Sequence, residues 1–347
     1  MRYTRWSIMV TAVLAVAALM WACGGLDYER LDAPPEMAGV DDDAPDGFGG
    51  DDDTAAGDDD TVGDDDTAGD DDTAGDDDTA GDDDTAGDDD DDDVYDPQNF
   101  AVTFYDVGLG DAALFEVPGP YAILVDGGSQ GNGHFNICDD LEAKGIDYLD
   151  VMVMSHPQYD HCGGLHEIFD CVDVGEVWVN GDDNPHAAYQ TFLEALDEWG
   201  GPVVVKQEGD LDNFGLLYVG TYHSFGEFDD YDNNGLVQMF EYAGLRTLMT
   251  ADIRRPAQDA LAEQYGVELM CDIIKVPDHG LVHSDSFLAL LQAQVAVLSV
   301  GGNDMGYPGQ ATVDAYLATG ADLYRTDESG DVRVSWIEET IEIETEF

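Results

Sequence analysis

From residue 97 onward, short apolar runs separated by polar or glycine-bearing stretches recur at 101–106, 112–117, 121–126, 149–155, 176–180, 203–206, 216–222, 236–242, 245–250, 271–276 and 295–300. Most are of strand length, and several are apolar at every position, as strands buried on both faces are. Between them lie helix-like segments at 136–144, 186–199, 256–265, 284–292 and 310–319. In the second of these, Ala187, Ala188, Phe192, Leu193 and Leu196 fall on one face. The tail, 331–346, reads as a hairpin: Val332, Val334 and Trp336 alternate with polar residues, and Ile341 and Ile343 follow. The early part is strand-rich and the later part alternates strand with helix. This predicts an α/β domain over 97–347, with two sheets packed face to face and helices outside.

The preceding residues follow different rules. Arg2 and Arg5 are succeeded by an apolar stretch from Ile8 to Ala22 and then Cys23. That stretch is shorter than the ~20 residues a membrane span needs, but it suits an export signal. Met20-Trp21-Ala22-Cys23 resembles the lipobox of bacterial lipoproteins, which implies a lipidated Cys23, export, and anchorage to the cell envelope. Residues 1–23 are therefore expected to form a lipoprotein-like signal segment. Gly-Asp-Asp-Asp-Thr-Ala then repeats with a period of six from Gly50 to about Asp93. A stretch with so little to bury cannot offset the entropy of ordering, and its charges repel. Residues 24–96 are expected to be a disordered acidic linker.

Removing that linker does not remove the charge. Residues 97–347 hold 45 Asp plus Glu against 8 Lys plus Arg, a net of −37 out of −67 for the chain. Binding to a phosphate backbone draws on lysine and arginine, so the balance argues against long nucleic acid as a partner. Beyond Cys23 there are four cysteines, Cys138, Cys162, Cys171 and Cys271, which permit up to two disulfides in three pairings if the domain is exported. Cys162 and Cys171 are nearest in sequence. The absence of a C-x-x-C spacing speaks against a cysteine-rich zinc knuckle, although Cys162, beside His161, is a conceivable soft ligand.

The densest chemistry follows the apolar run Leu149 to Met154. His156-Pro157-Gln158-Tyr159-Asp160-His161 places two imidazoles and a carboxylate in six residues, and His166 lies close behind, in a chain with eight histidines. Nitrogen and carboxylate donors together suit zinc, whereas calcium and magnesium take oxygen.

Several further segments carry a resemblance when taken in order. They are Phe104-Tyr105-Asp106-Val107-Gly108-Leu109-Gly110-Asp111-Ala112; Ile123-Leu124-Val125-Asp126-Gly127-Gly128; His156 to His161 with Gly163-Gly164; and Asn233-Asn234-Gly235-Leu236-Val237. Thr250-Ala251-Asp252, Lys275-Val276-Pro277-Asp278-His279-Gly280 and Tyr324-Arg325-Thr326-Asp327 complete the series. The chain resembles the metallo-β-lactamase superfamily, and within it the ComEC-type hydrolase domain of competence proteins. The resemblance implies an αββα sandwich. It also implies a metal held by Asp160, His161, Asp252 and His279, with His156 holding a second ion or orienting water, and Asp126 steadying the metal loop. Zinc is the expected ion, one rather than two, with manganese the other candidate.

Three departures weaken the pattern. Gln158 stands where the family's H-x-H-x-D-H loop has its second histidine, and Asp278 replaces the first histidine of its P-H-H-G loop. An aspartate facing the substrate would repel a phosphate. In place of the family's later G-H-P segment the chain has Gly306-Tyr307-Pro308-Gly309. The expected activity is metal-assisted hydrolysis of a small or short ester or phosphoester, with His156, Asp160 and Asp278 as the residues nearest the chemistry. The alternative is an inactive binding module of the same fold. Asp230, Asp232, Asn234, Gly235 and Glu241 also satisfy the spacing of a calcium loop, but Leu236 to Tyr242 reads as a strand where that loop needs a helix, so the match is read as coincidence. No protein partner is implied.

Overall fold

The computed structural model describes residues 97–223, 226 and 228–347. The expected signal segment and acidic linker lie outside them. Strands follow in the order β1 Phe100–Phe104, β2 Ala113–Val117, β3 Tyr121–Val125, β4 Tyr148–Met154, β5 Asp173–Val179, β6 Val203–Val205, β7 Leu211–Phe214 and β8 Leu217–His223. They continue as β9 Val237–Tyr242, β10 Leu245–Met249, β11 Ile273–Lys275, β12 Val295–Leu298, β13 Asp322–Arg325, β14 Val332–Ile337 and β15 Thr340–Thr345.

These strands build two sheets, one of eight strands in the order β15-β14-β1-β2-β3-β4-β5-β6 and one of seven in the order β13-β12-β11-β10-β9-β8-β7. Side-chain alternation shows how the layers stack. Ile123, Val125, Val151, Val153, Ile273, Val295 and Val297 share the core between the sheets. Their neighbours Leu124, Met152 and Met154 pack on the outer face of the first sheet with Leu141, Phe192 and Leu196. Ile274, Ala296 and Leu298 do the same on the second sheet with Leu261, Leu291 and Tyr316. The central strands are apolar on both faces and so need cover on both, which the partner sheet supplies on one side and the helices on the other. Phe115 stacks on Phe240 across the inter-sheet core with ring centroids 4.0 Å apart and planes within 9°.

Within each sheet one block is parallel, β3 to β6 in the first and β10 to β13 in the second. Their crossovers carry the helices Asp139–Lys144, Ala187–Trp199, Arg255–Tyr265, Asp285–Leu291 and Gln310–Thr319. The carboxyl ends of such strands are where open α/β sheets gather ligands.

The observed elements depart from the expected ones mainly at the edges. The anticipated helix 136–144 begins instead as a π-helical turn, Gly133–Cys138. The short strands β7 and β13 had no clear signal, since each is partly exposed and a sheet's edge asks for fewer apolar residues. Of the three cysteine pairings, the fold brings Cys138 to Cys171, Cα atoms 5.9 Å apart, and leaves Cys162 and Cys271 as buried thiols. Sequence proximity pointed to Cys162, but its side chain faces the core under helix Ala187–Trp199. Among the described residues, no helix is long and apolar enough to cross a membrane.

Candidate metal centre

Four loops meet at the carboxyl ends of β3, β4, β10 and β11. Asp126 follows β3, His156 to His161 follow β4, Asp252 follows β10, and Asp278-His279 follow β11. The loop between β1 and β2 adds Asp111. Backbone hydrogen bonds lace these segments together: Gly127 N donates to His161 O (2.8 Å), Gly128 N to Asp111 O (2.8 Å), Gly164 N to Gly128 O (3.0 Å) and Asp111 N to Asp160 O (3.1 Å). The glycines permit that closeness, since a Cβ on Gly164 would run into the carbonyl oxygen of Gly127. Asp126, Ala251, Asp278 and His279 all adopt positive φ, between 44° and 59°. For residues with a Cβ this conformation costs roughly 1–2 kcal/mol each, and such strain clusters at functional sites.

One ligand atom from each of Asp160, His161, Asp252 and His279 lies within 4.8 Å of the others, the four residues on which the sequence reading centred. His161, Asp252 and His279 are buried, and Asp160 keeps 22% of its side chain exposed, which sets the open side of the pocket. His279 Nε2 is 3.3 Å from Asp160 Oδ2 and 3.2 Å from Asp252 Oδ2, yet it has no hydrogen-bond partner. Close polar atoms misaligned on one another are what a set of ligands aimed at a common centre gives. Its other nitrogen, Nδ1, is fixed by Ser299 O at 2.8 Å.

A buried scaffold orients these candidate ligands. Asp126 accepts from Ser155 N (2.8 Å) and Ser155 Oγ (2.6 Å), and its Oδ2 lies 2.9 Å from His161 Nδ1. A carboxylate on the far nitrogen of a ligand histidine fixes its tautomer and strengthens its basicity. Lys275, 1% exposed, reaches Ala251 O (2.8 Å) and Asp252 Oδ1 (3.2 Å) and ion-pairs with Asp111. Lys275 had no role assigned from sequence, although a lysine closing an apolar strand two residues before Pro277 was the available signal.

The electrostatics call for positive charge. Asp111 and Asp252 are buried against Lys275 and Asp126 is buried against His161, and isolated buried charges cost several kcal/mol. Burial lowers the affinity of His279 for a proton, but Asp252 and Asp160 outweigh it and raise its pKa to about 10. His161 is likewise opposed by burial and pushed well up by Asp252, Asp111 and Asp126. Asp252 is raised by burial but held well below the usual carboxylate range by His279, His161 and Lys275. His156, by contrast, is driven down to about 3, by burial first and then by His161. A buried N/O donor set with surplus negative charge fits a divalent ion such as zinc or manganese.

The remaining candidates are placed as follows. His156 joins a second group with Asp232 and Asp252. Asp278 lies outside both groups: its Oδ2 accepts from Arg254 Nε at 2.9 Å, so the charge expected to face substrate is neutralised by a guanidinium. Gln158 donates to Asp232. His166 binds Gly163 O and takes no part. Cys162 is in neither group, so the geometry leaves it out of the candidate ligand set, and burial pushes its thiol up to about 12. Tyr307, in the segment that replaces the family's G-H-P, packs edge-on against His279 with ring centroids 5.7 Å apart. The calcium-loop spacing is not a calcium site: both Asp230 oxygens accept from the Asn233 side-chain amide, and Glu241 points outward from β9.

The two sheets, the outer helices and the loops converging at their carboxyl ends define a metallo-β-lactamase fold with a potential metal site. In sequence the chain is similar to competence and recombination proteins. It is 28% identical over 240 residues to competence protein ComA of Neisseria gonorrhoeae, covering 67% of this chain and 32% of ComA. It is 24% identical over 200 residues to ComE operon protein 3 of Bacillus subtilis (56% and 25%), and 26% identical over 246 residues to recombination protein 2 of Haemophilus influenzae (69% and 29%). The chain thus spans a third or less of these relatives. No family model matches it. Among solved structures it is similar to the metallo-β-lactamase fold protein YhfI of Bacillus subtilis, with a TM-score of 0.42 and 10% identity over 66% of this chain and 98% of YhfI.

Proposed function

We propose that the chain is a metal-dependent hydrolase acting on a small or short ester or phosphoester. The observation that carries this reading is the convergence of Asp160, His161, Asp252 and His279, with His279 Nε2 buried and unpartnered. A bound zinc or manganese ion would supply a Lewis acid and a water acidified toward a pKa of ~7. Asp126 and Ser299 O fix the two histidines so that their remaining nitrogens face the centre. Burial raises the pKa of Asp160, but the closeness of His279 and His161 outweighs it and holds the group low. Asp160 therefore stays ionised on the open side, where it can take a proton from attacking water. Arg254 keeps 41% of its side chain exposed at the same mouth and offsets Asp278 there, which makes a single anionic ester tolerable.

The relatives are named for competence and recombination, which raises DNA as a substrate. The domain's −37 charge argues for something shorter. The Cys138–Cys171 disulfide favours an oxidising compartment, in keeping with export and lipid anchorage through Cys23. The test is metal per chain together with turnover of a generic phosphodiester. Bound ion with turnover supports the hydrolase, and no ion after zinc and manganese loading would leave a binding module of this fold.

A further inference from the structure

We infer that Asp232 is a metal ligand, and that with His156 and the shared Asp252 it completes a second cation position that the sequence alone shows as missing a histidine. The inference rests on the reading of the pocket as a metal centre.

Gln158 occupies the place where another imidazole would sit, and a neutral amide is a poor ligand. The fold brings in a different donor, from the loop between β8 and β9. One ligand atom from each of His156, Asp232 and Asp252 lies within 4.8 Å of the others, and all three residues are buried. His156 is 0% exposed; its Nδ1 is taken by Ser155 Oγ at 3.0 Å, and its Nε2 has no partner. A buried imidazole nitrogen beside two carboxylates, with nothing to bond, is a ligand position rather than a packing accident.

Asp232 is held as ligating carboxylates are held, by other donors around it. Gln158 Nε2 donates to Oδ1, and Arg254 Nη2 lies 2.6 Å from Oδ2. Gln158 is thereby not a failed ligand but the group that aims its replacement. The loop beneath is fixed as well: Asn233 N donates to Asp230 Oδ1 (2.8 Å), Arg254 N to Asn233 Oδ1 (2.9 Å), and Asn234 Nδ2 to Phe228 O (2.7 Å). Asp252 takes part in both groups, so the two positions share one carboxylate. The pair would be a two-ion centre whose second site is one His and two carboxylates, a harder donor set that favours manganese over zinc there.

The test is elemental analysis of the purified full chain after loading with manganese or zinc and dialysis, paired with a cobalt titration followed by d–d absorption. About two ions per chain are expected. Asp232→Asn, which keeps the shape, should leave about one and abolish the second phase of the cobalt spectrum. Gln158→Ala should weaken the second ion roughly 10–100-fold. Arg254→Gln, which removes the other group holding Asp232 and keeps the carboxylate, should likewise weaken the second ion without abolishing it at saturating metal, whereas Asp232→Asn abolishes it. Two ions in Asp232→Asn, or one ion in both the native chain and the variant, overturns the assignment and leaves the hydrolase reading standing. No ion in the native chain removes both.

Discussion

Asp126 offers the sharpest test of how the scaffold governs the metal. It is 1% exposed and faces three donors: Ser155 N at 2.8 Å, Ser155 Oγ at 2.6 Å and His161 Nδ1 at 2.9 Å. In Asp126→Ala, Ser155 Oγ still has His156 Nδ1 at 3.0 Å, but Ser155 N and His161 Nδ1 lose their acceptor. At about 1–3 kcal/mol for each unsatisfied buried donor, the expected loss of stability is roughly 2–6 kcal/mol. Asp126→Asn separates stability from ligation. Its carbonyl still accepts from Ser155 N, but its amide donates toward His161 Nδ1, which must then give up its proton. The proton moves to Nε2, the nitrogen that faces Asp252, and blocks the lone pair a metal needs. Asp126→Asn should therefore be less destabilised than Asp126→Ala in the metal-free protein yet bind zinc about 10–100-fold more weakly than the native chain. Urea denaturation of the metal-free protein and competitive zinc titration read the two effects independently. Native zinc affinity in a folded Asp126→Asn would refute the tautomer argument.

Three further outcomes follow from the same geometry. Lys275→Met strands Asp111 and Asp252 without their buried cation and should cost about 3–5 kcal/mol in the metal-free protein; added metal should restore part of it, as a rise in urea midpoint larger than the native protein shows. His279 is ordinarily protonated below 6.5 but is raised to about 10 in the fold. Its contribution to metal-free stability is complete below pH 6.5 and is lost as pH rises toward 10, so melting temperature in chelator should fall between pH 7 and 10 while metal affinity rises over the same interval; a flat pair of profiles would contradict the charge assigned to the pocket. The Cys138–Cys171 bridge closes a separation of 33 residues, so the double serine variant should lose about 2–4 kcal/mol by denaturant titration.

The sequence alone determined the layers and most of the ligands. Uninterrupted apolar runs in β3, β4, β11 and β12 require cover on both faces, which the pattern alone shows, and the resemblance to the metallo-β-lactamase superfamily implied that the cover is a second sheet on one side and helices on the other. Asp160 and His161 were legible in the histidine-bearing loop that follows an apolar run, and Asp252 and His279 through the resemblance to the metallo-β-lactamase superfamily. What only the tertiary structure decided is every relation between loops distant along the chain. Arg254 reaches back to neutralise Asp278, Lys275 turns inward to Asp111, Cys138 finds Cys171, and Asp232 arrives beside His156 and Gln158 from 74 residues further along. None of these has a local signature. Ion pairs, disulfides and shared ligands depend on distances of a few ångströms in space, and those distances are set by how two sheets pack rather than by spacing along one strand.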